Sequence, residues 1–569
     1  MIDFKQEIAE AIGNVTKIDE KELETYIEVP PNPDMGDFAL PCFKLAKELK
    51  KAPPMIAQEI KENIDIDANV IEKIDIVGGY LNIYINKKEL IKTTLKEVDE
   101  KKEKYGSSNV GQGKNAVIEY SSPNIAKPFH IGHLRTTVIG GALYKIYRFI
   151  GYNVIGINYL GDWGLQFGKV MAGIELWGKE YDLEHNQIDS LLNIYVRFCK
   201  EEKEDESLTD LARNWFIKLE AKDAEALKTW EWIRDVSIEN YNKTYQLLNS
   251  NFDSFNGEAY YNDKMDAIVK ELDEKGLLKE SQGAKIVDLE EYGMPPCIII
   301  TSAGTTIYAT RDITAFIDRV KTYNFEKMIY VVGGEQKLHF EQFFKVLELM
   351  GYGDYVKKTT HVSFGLVVDK DGEKIGTRKG NSVFLEDILN EAIDKARVII
   401  DEKNPNLENK DDVARKVGVG AIIFNDLSNS RIKDEIFDWD TILNFQGETG
   451  PYMQYIYVRT KSILEKAGYL PSFVELNFDN INEEEVIEII KNIYDFSNIV
   501  KNAADKNEPS ILARYLIDLA QSFSKFYNEH KIITEDKDIQ DVRLFITYAV
   551  GMVLKTGAEL LGIEMPDKM

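Results

Sequence analysis

A chain of 569 residues, 44% hydrophobic and 29% charged, has room for about three to five ordinary domains and is not a disordered chain. Its formal net charge of −26 speaks against nonspecific polyanion binding, which needs summed phosphate neutralisation, but leaves room for a local basic track. No apolar run approaches the ~18 residues of a membrane span, and Cys42, Cys199 and Cys297 form no CxxC pair, so neither a disulfide framework nor a zinc knuckle is expected.

Met1-Ile2-Asp3-Phe4 begins with an early acid and no apolar core, so no signal peptide is expected and a reducing cytoplasm fits. Residues 1 to about 105 read as a small α+β unit. Two helical stretches flank the breakers Pro30 to Gly36, and Lys73 to Asn86 gives two β-rich runs hinged at Gly78-Gly79. Lys101 to Lys114 reads as a linker.

The texture then changes to alternating strands and helices. Ala116 to Tyr120 suits a buried parallel strand, a helix follows from about His130, and Asn153 to Tyr159 is the next strand. That is a βαβ unit, expected to be right-handed. Residues 170–290 read as a charged, mostly helical insertion, with five acids in Glu201–Glu206. The alternation then returns. Strands are expected at Cys297 to Thr301 and Thr306 to Thr310, a helix from Asp312, a strand at Lys327 to Val332, a helix over Leu338 to Met350, and a strand at Val362 to Val368. From about Asp411 the pattern is almost wholly helical, and Leu544 to Leu554, broken by Thr547, reads as a buried helix.

The sharpest motif is Phe129-His130-Ile131-Gly132-His133-Leu134-Arg135 at a strand-to-helix turn. His130 and His133 are three apart and share the first helical turn. A helix N-terminus offers free N–H groups to a phosphate, Gly132 leaves room for a flat group, and two imidazole donors could stabilise charge on an attacked α-phosphate. Two histidines capping a helix or binding a metal is the plainer reading, although a metal wants a third ligand and the chain has six histidines. The second motif is Glu373-Lys374-Ile375-Gly376-Thr377-Arg378-Lys379-Gly380-Asn381, a glycine-bordered basic loop able to close over a triphosphate. Alone it reads more readily as an exposed basic turn.

Together these stretches resemble the HIGH and KMSKS signatures of class I aminoacyl-tRNA synthetases. Flanking segments narrow the resemblance to the arginyl-tRNA synthetase family: Glu119 to Pro128, Gly161 to Gly168, Tyr308-Ala309-Thr310-Arg311-Asp312, Gln336 to Phe340, Gly450 to Tyr455, Leu561-Gly562-Ile563 and, near the start, Pro31 to Ala39. The resemblance covers essentially the whole chain. It departs at one point, since Thr377 stands where the second lysine of KMSKS would be.

The resemblance implies an α/β fold: a class I Rossmann-type catalytic domain over 106–410 with its insertion and the loop 373–381, a small α+β N-terminal domain over 1–105, and an all-α anticodon-binding domain over 411–569. It implies His130, His133, Lys127 and Lys374 as catalytic residues, with Lys127 supplying the missing charge and Arg378 and Lys379 close enough in sequence to share or take that role. ATP would meet His130, Gly132, His133, Lys374, Thr377 and Arg378. Arginine would be held at its guanidinium by Glu119, Tyr308 and Asp312, and at its α-amino end by Ser122, Asn124 and Gln336. The fork of donors on a guanidinium matches a carboxylate, yet Asp312, if it begins a helix, competes as a plain N-cap. Tyr452, Gln454, Tyr455 and Arg459 would face the tRNA, although an aromatic helix face is as readily packed in a core. ATP with magnesium carried on its phosphates, L-arginine and tRNA(Arg) are the implied partners, with no structural metal, membrane or DNA, in a cytoplasmic monomer that needs no editing domain. The rivals are another class I synthetase, a nucleotidylyltransferase and a noncatalytic tRNA-binding paralogue.

Overall fold

The computed structural model describes residues 2–375, 384–479, 481 and 483–569. Asp3 starts the first helix, Phe4–Thr16, by accepting the Gln6 N–H, and Phe4, Ile8 and Ile12 fall on one buried stripe. The breaker cluster leads into strand β1 (Phe38–Pro41). The two β-rich runs become β2 (Ile71–Val77) and β3 (Tyr80–Ile85), an antiparallel hairpin turning at Gly78-Gly79, with sheet order β1-β3-β2. These residues belong to a compact unit that joins Met1–Gly106 to Ile456–Ser497 and Asp518–Leu554, a joining the sequence reading does not anticipate. Inside it, Tyr105 donates its hydroxyl to the Ile493 carbonyl at 2.8 Å, and a side chain on Gly106 would collide with Phe496.

The second unit comprises Ser107–Tyr455, Asn498–Ile517 and Lys555–Met569. Its parallel sheet is built from β4 (Asn115–Glu119), β5 (Asn153–Ile157), β9 (Lys327–Val331) and β10 (Thr359–Val362), in the order β10-β9-β4-β5. β4 is central and apolar, as a strand covered on both faces must be. β5 lies on one side of it and β9 on the other, so the crevice beyond the carboxyl end of β4 is a topological switch point, where ligands of such sheets sit. Glu119 ends β4 there, in register with Ile157 and Tyr330. The helix Gly132–Phe149 packs close to the sheet because Gly140 meets Tyr120 without a side chain between them.

Four expectations need correction. Cys297–Ile300 is a strand, β8, but it joins β6 (Leu278–Ser281) and β7 (Ala284–Val287) in an antiparallel sheet and not the parallel one. Thr306 to Thr310 is not a strand: only Thr306 bridges, to Ile300, and the next helix starts at Tyr308. Thr310 donates its hydroxyl to the Ile299 carbonyl at 2.5 Å, so a β-branched residue serves a helix through its side chain. Asp312 therefore lies in the second turn of the helix Tyr308–Tyr323 and neither begins the helix nor caps it. Finally, Val362 to Val368 is interrupted between β10 and β11 (Val367–Val368), because Gly365 is packed against Lys433 and Asp434 with no space for a Cβ.

The insertion is helical through Leu165–Trp177, Gln187–Glu201, Ser207–Glu220 and Ala224–Leu247. Among the described residues the regular structure of the C-terminal part is helical apart from the two-residue β12 (Glu435–Ile436), parallel to β11. Leu544 to Leu554 lies within the helix Lys537–Leu560 with Leu544, Ile546, Val550 and Leu554 fully buried. Among the described residues no helix is long and apolar enough to cross a membrane.

Candidate active site

The loop after β4 is held in a conformation that its sequence does not favour. Ser121, Ser122 and Ala126 have φ of 68°, 49° and 63°, the left-handed region that costs most residues of order 1 kcal/mol or more. Surrounding structure holds it there. Gly161 N–H donates to the Pro123 carbonyl and Ile125 N–H returns to the Gly161 carbonyl. A side chain on Gly161 would collide with Asn124 Oδ1. From the insertion, the helix Ala224–Leu247 supplies Ser237, which accepts the Ala126 N–H at 3.0 Å, and Tyr241, whose hydroxyl lies 2.9 Å from the Asn124 carbonyl and 2.6 Å from that of Lys127. Sequence reasoning missed both, since nothing in the helix pattern says which loop it supports.

The two histidines stand at the end of this loop with ring centroids 3.9 Å apart. His130 Nδ1 accepts the Gly132 N–H at 3.1 Å, and His133 Nδ1 accepts the His130 N–H at 3.3 Å. Each accepting Nδ1 leaves the ring proton on Nε2, so each neutral ring keeps one N–H to donate. Both stay neutral: burial, then Lys374 and Lys127, push His130 down, and burial with His130 beside it pushes His133 down to about 3. Gly132 is explained partly by His130, whose ring a Cβ there would strike. Neither histidine belongs to a three-ligand metal grouping among the described residues.

Lys127 is half-buried, with Nζ 4.5 Å from the centre of the Tyr195 ring, and burial lowers its pKa. Lys374 follows a tight turn: Asp369 accepts the Asp371 and Glu373 N–H groups, and Lys374 bridges back to Val368. The turn is anchored by β12, where Phe437 N–H donates to the Val368 carbonyl, and by Lys370 with Asp438 at 2.8 Å. Lys374 itself is half-exposed, 4.0 Å from Glu335. Thr377 and Arg378, like Lys379, lie outside the described residues.

Glu119, Ser122, Asn124, Tyr308, Asp312 and Gln336 all line one cavity of 370 Å³. Its wall also contains Glu258, Arg319 and His339, which sequence reasoning did not assign to it. The sequence did carry a signal for two of them. His339 lies in the quoted Gln336 to Phe340 stretch, and Arg319 is two helical turns from Asp312. Arg319 Nη2 is 2.6 Å from Glu119 Oε2, with both side chains buried. His339 Nε2 is 2.6 Å from Asp312 Oδ2. Burial pushes Glu119 up against the pull of Arg319, and pushes Glu258 up to about 7 against that of Arg311. Tyr308 is 70% exposed at the rim. A larger cavity of 960 Å³, walled by Trp163, Phe216 and Trp230, shares Glu258 and Tyr308 with it.

Of the residues assigned to tRNA, Tyr455 is 40% exposed and Tyr452 half-buried. Arg459 lies 4.8 Å over the Tyr527 ring. Gln454 must be corrected. It is fully buried and gives its amide N–H groups to the Lys416 and Glu564 carbonyls at 3.0 and 2.8 Å, so it has no surface to offer a base.

Residues 94–439 match the family model for the catalytic domain of class I tRNA synthetases (R). Residues 3–85 match the arginyl tRNA synthetase N-terminal domain, and 453–569 the DALR anticodon binding domain. The chain is 50% identical over its whole length to arginine–tRNA ligases of Halothermothrix orenii and Alkaliphilus metalliredigens, covering 100% of each. The arginyl-tRNA synthetase of Thermus thermophilus superposes with a TM-score of 0.84 at 26% identity, covering 99% of both chains. With the histidine turn, the carboxylate-lined cavity and all three domain types present along one chain, this protein belongs to the arginyl-tRNA synthetase family of class I aminoacyl-tRNA synthetases.

Proposed function

We propose that the 370 Å³ cavity takes L-arginine and the adjoining histidine turn takes ATP, so that the protein works as an arginine–tRNA ligase through these residues. The observation that carries this reading is the convergence of Glu119, Ser122, Asn124, Tyr308, Asp312 and Gln336, from three separate sequence stretches, on one cavity.

The guanidinium end meets Asp312 and Glu119, with Tyr308 at the rim, and the α-amino end meets Ser122, Asn124 and Gln336. Lysine, with one compact ammonium, leaves oriented carboxylates unpaired, and such sites reject poor partners strongly. The arginine carboxylate attacks the α-phosphate of ATP, the bond to the β-phosphate breaks, and arginyl-adenylate and pyrophosphate form. The Nε2–H groups of His130 and His133 donate to the phosphate oxygens as charge builds, each worth roughly 3–4 kcal/mol in a preorganised site. Being neutral, they donate without losing a proton. Lys127 and Lys374 offset the charge of the departing pyrophosphate, with magnesium travelling on the phosphates. The terminal ribose hydroxyl of tRNA(Arg) then attacks the acyl carbon and releases AMP.

The division at about 105 and 410, contact of Tyr452, Tyr455 and Arg459 with the anticodon, a monomeric state and residence in the cytoplasm complete the proposal on family grounds. Arginine-dependent ATP–pyrophosphate exchange, run with and without arginine tRNA, tests it. Exchange only with tRNA present supports the assignment and makes tRNA part of the active site. Exchange with arginine alone keeps the specificity and removes the tRNA requirement. No exchange from folded protein in either condition sinks the enzyme reading.

A further inference from the structure

A cavity meant for a guanidinium would be expected to exclude other guanidinium groups, yet Arg319 stands in its wall. Among the described lining residues it is the one arginine or lysine. It is 1% exposed, its Nη2 forms an ion pair with Glu119 Oε2 at 2.6 Å, its Nη1 donates to the Tyr330 hydroxyl at 3.2 Å, and neither Nε nor Nη2 makes a well-aligned hydrogen bond among the described residues. The rings of Tyr159 and Tyr330 lie 5.4 and 5.6 Å from its guanidinium carbon, so it is clamped.

Glu119 explains the arrangement. It is buried, with the Asp312 carboxylate near enough to push its pKa up further. A buried carboxylate takes up a proton readily unless a cation lies against it. A protonated Glu119 offers a substrate guanidinium one weak acceptor in place of a charge. Arg319 faces Glu119 from the helix Tyr308–Tyr323, which also carries Asp312, while Tyr159, Tyr261 and Tyr330 surround the pair.

We infer that Arg319 is a specificity-determining positioning residue: its guanidinium lies against one oxygen of Glu119, compensating the charge of that carboxylate and fixing it in place while leaving the other oxygen and Asp312 for one incoming guanidinium. The inference rests on the arginine reading of the cavity. It makes Arg319 useful only while Glu119 is an acid. Once Glu119 is neutral, the same buried charge repels the substrate.

The test compares KM for arginine and for ATP in aminoacylation by the full chain, across wild type, Glu119→Gln, Arg319→Met, Arg319→Lys and the double variant Glu119→Gln/Arg319→Met. Each single loss of charge should raise the arginine KM by about 30-fold or more, as when one partner of a buried charged pair is truncated, while the ATP KM holds within about threefold. Arg319→Lys, which keeps the charge, should recover most of the loss of Arg319→Met. In the double variant the arginine KM should fall at least about tenfold below that of Glu119→Gln, because the unpaired charge is gone. A residue that only packs would make the double variant worse than either single one, and that result overturns the inference. An unfolded double variant overturns it too, since removing both charges together should preserve the fold. If Asp312→Asn leaves the arginine KM unchanged, the cavity is not the arginine site and both readings fall. If it raises KM and the double variant is not rescued, this inference falls alone.

Discussion

The carboxylate-lined cavity proposed for arginine and the histidine turn proposed for ATP lie in the same unit but handle charge in opposite ways. In the cavity, Glu119 meets Arg319, Glu258 meets Arg311 and Asp312 meets His339. On the turn, Lys127 rests on an aromatic ring and Lys374 is half-exposed at 4.0 Å from its nearest acid. The difference follows from what each must do. Selection among amino acids needs carboxylates fixed in a dry place, and a buried charge persists there only with a partner. Balancing a leaving pyrophosphate needs cations still available when the charge develops.

The contrast can be broken or sharpened by substitution. The largest effect is expected at Asp312. Asp312→Asn should lower kcat/KM for arginine by about 30-fold to about 4,000-fold, the range for truncating a hydrogen-bonded charge that a bound partner covers. A loss below about threefold in pyrophosphate exchange would show that cavity charge does not select. Next comes His130→Ala, which should cost about 100- to 1,000-fold in kcat and leave the arginine KM within about twofold, as for removal of one preorganised donor. A rise in arginine KM of similar size would place His130 in the cavity instead. Tyr241→Phe removes only the hydroxyl that supports the Asn124 and Lys127 carbonyls, at about 1 kcal/mol and so about fivefold in kcat/KM for arginine. An unchanged rate would mean that the loop keeps its shape without the insertion.

The smallest effect concerns pH. His133 is pushed down to about 3 in the fold, below the 6.5 of a free imidazole. The unfolded chain takes a proton there and the folded chain does not. His133 therefore contributes stability that is present above pH 6.5 and lost as the pH falls towards about 3. Replacing it with Asn should reduce the drop in melting temperature between pH 7 and 5 by about 2 °C. An equal drop in both proteins would mean that His133 takes up its proton over the same pH range folded as unfolded.

Much of this was legible in local sequence, and the misreadings share a cause. Ala116 to Tyr120, Asn153 to Tyr159 and Lys327 to Val332 are short apolar runs bounded by breakers, and each became a strand of the parallel sheet. Thr306 to Thr310 has the same β-branched texture, yet it enters a helix because Thr310 bonds to the neighbouring strand through its side chain. Gln454 sits in a motif rich in tyrosines, and that motif by itself places it with them. Its neighbour Tyr455 points to the surface, while Gln454 points to two backbone carbonyls that no local pattern announces.

What the sequence determined by itself is the inventory: the histidine turn, the lysines, the acids and the order of the elements, because period and breakers are local properties of the chain. The partner of each charge was decided by tertiary structure alone. Arg319 reaches Glu119 across 200 positions, and Tyr241 reaches the signature loop from the insertion over more than 110. A buried charge is stable only beside the group that compensates it, and which group that is depends on how the helices and strands pack in three dimensions.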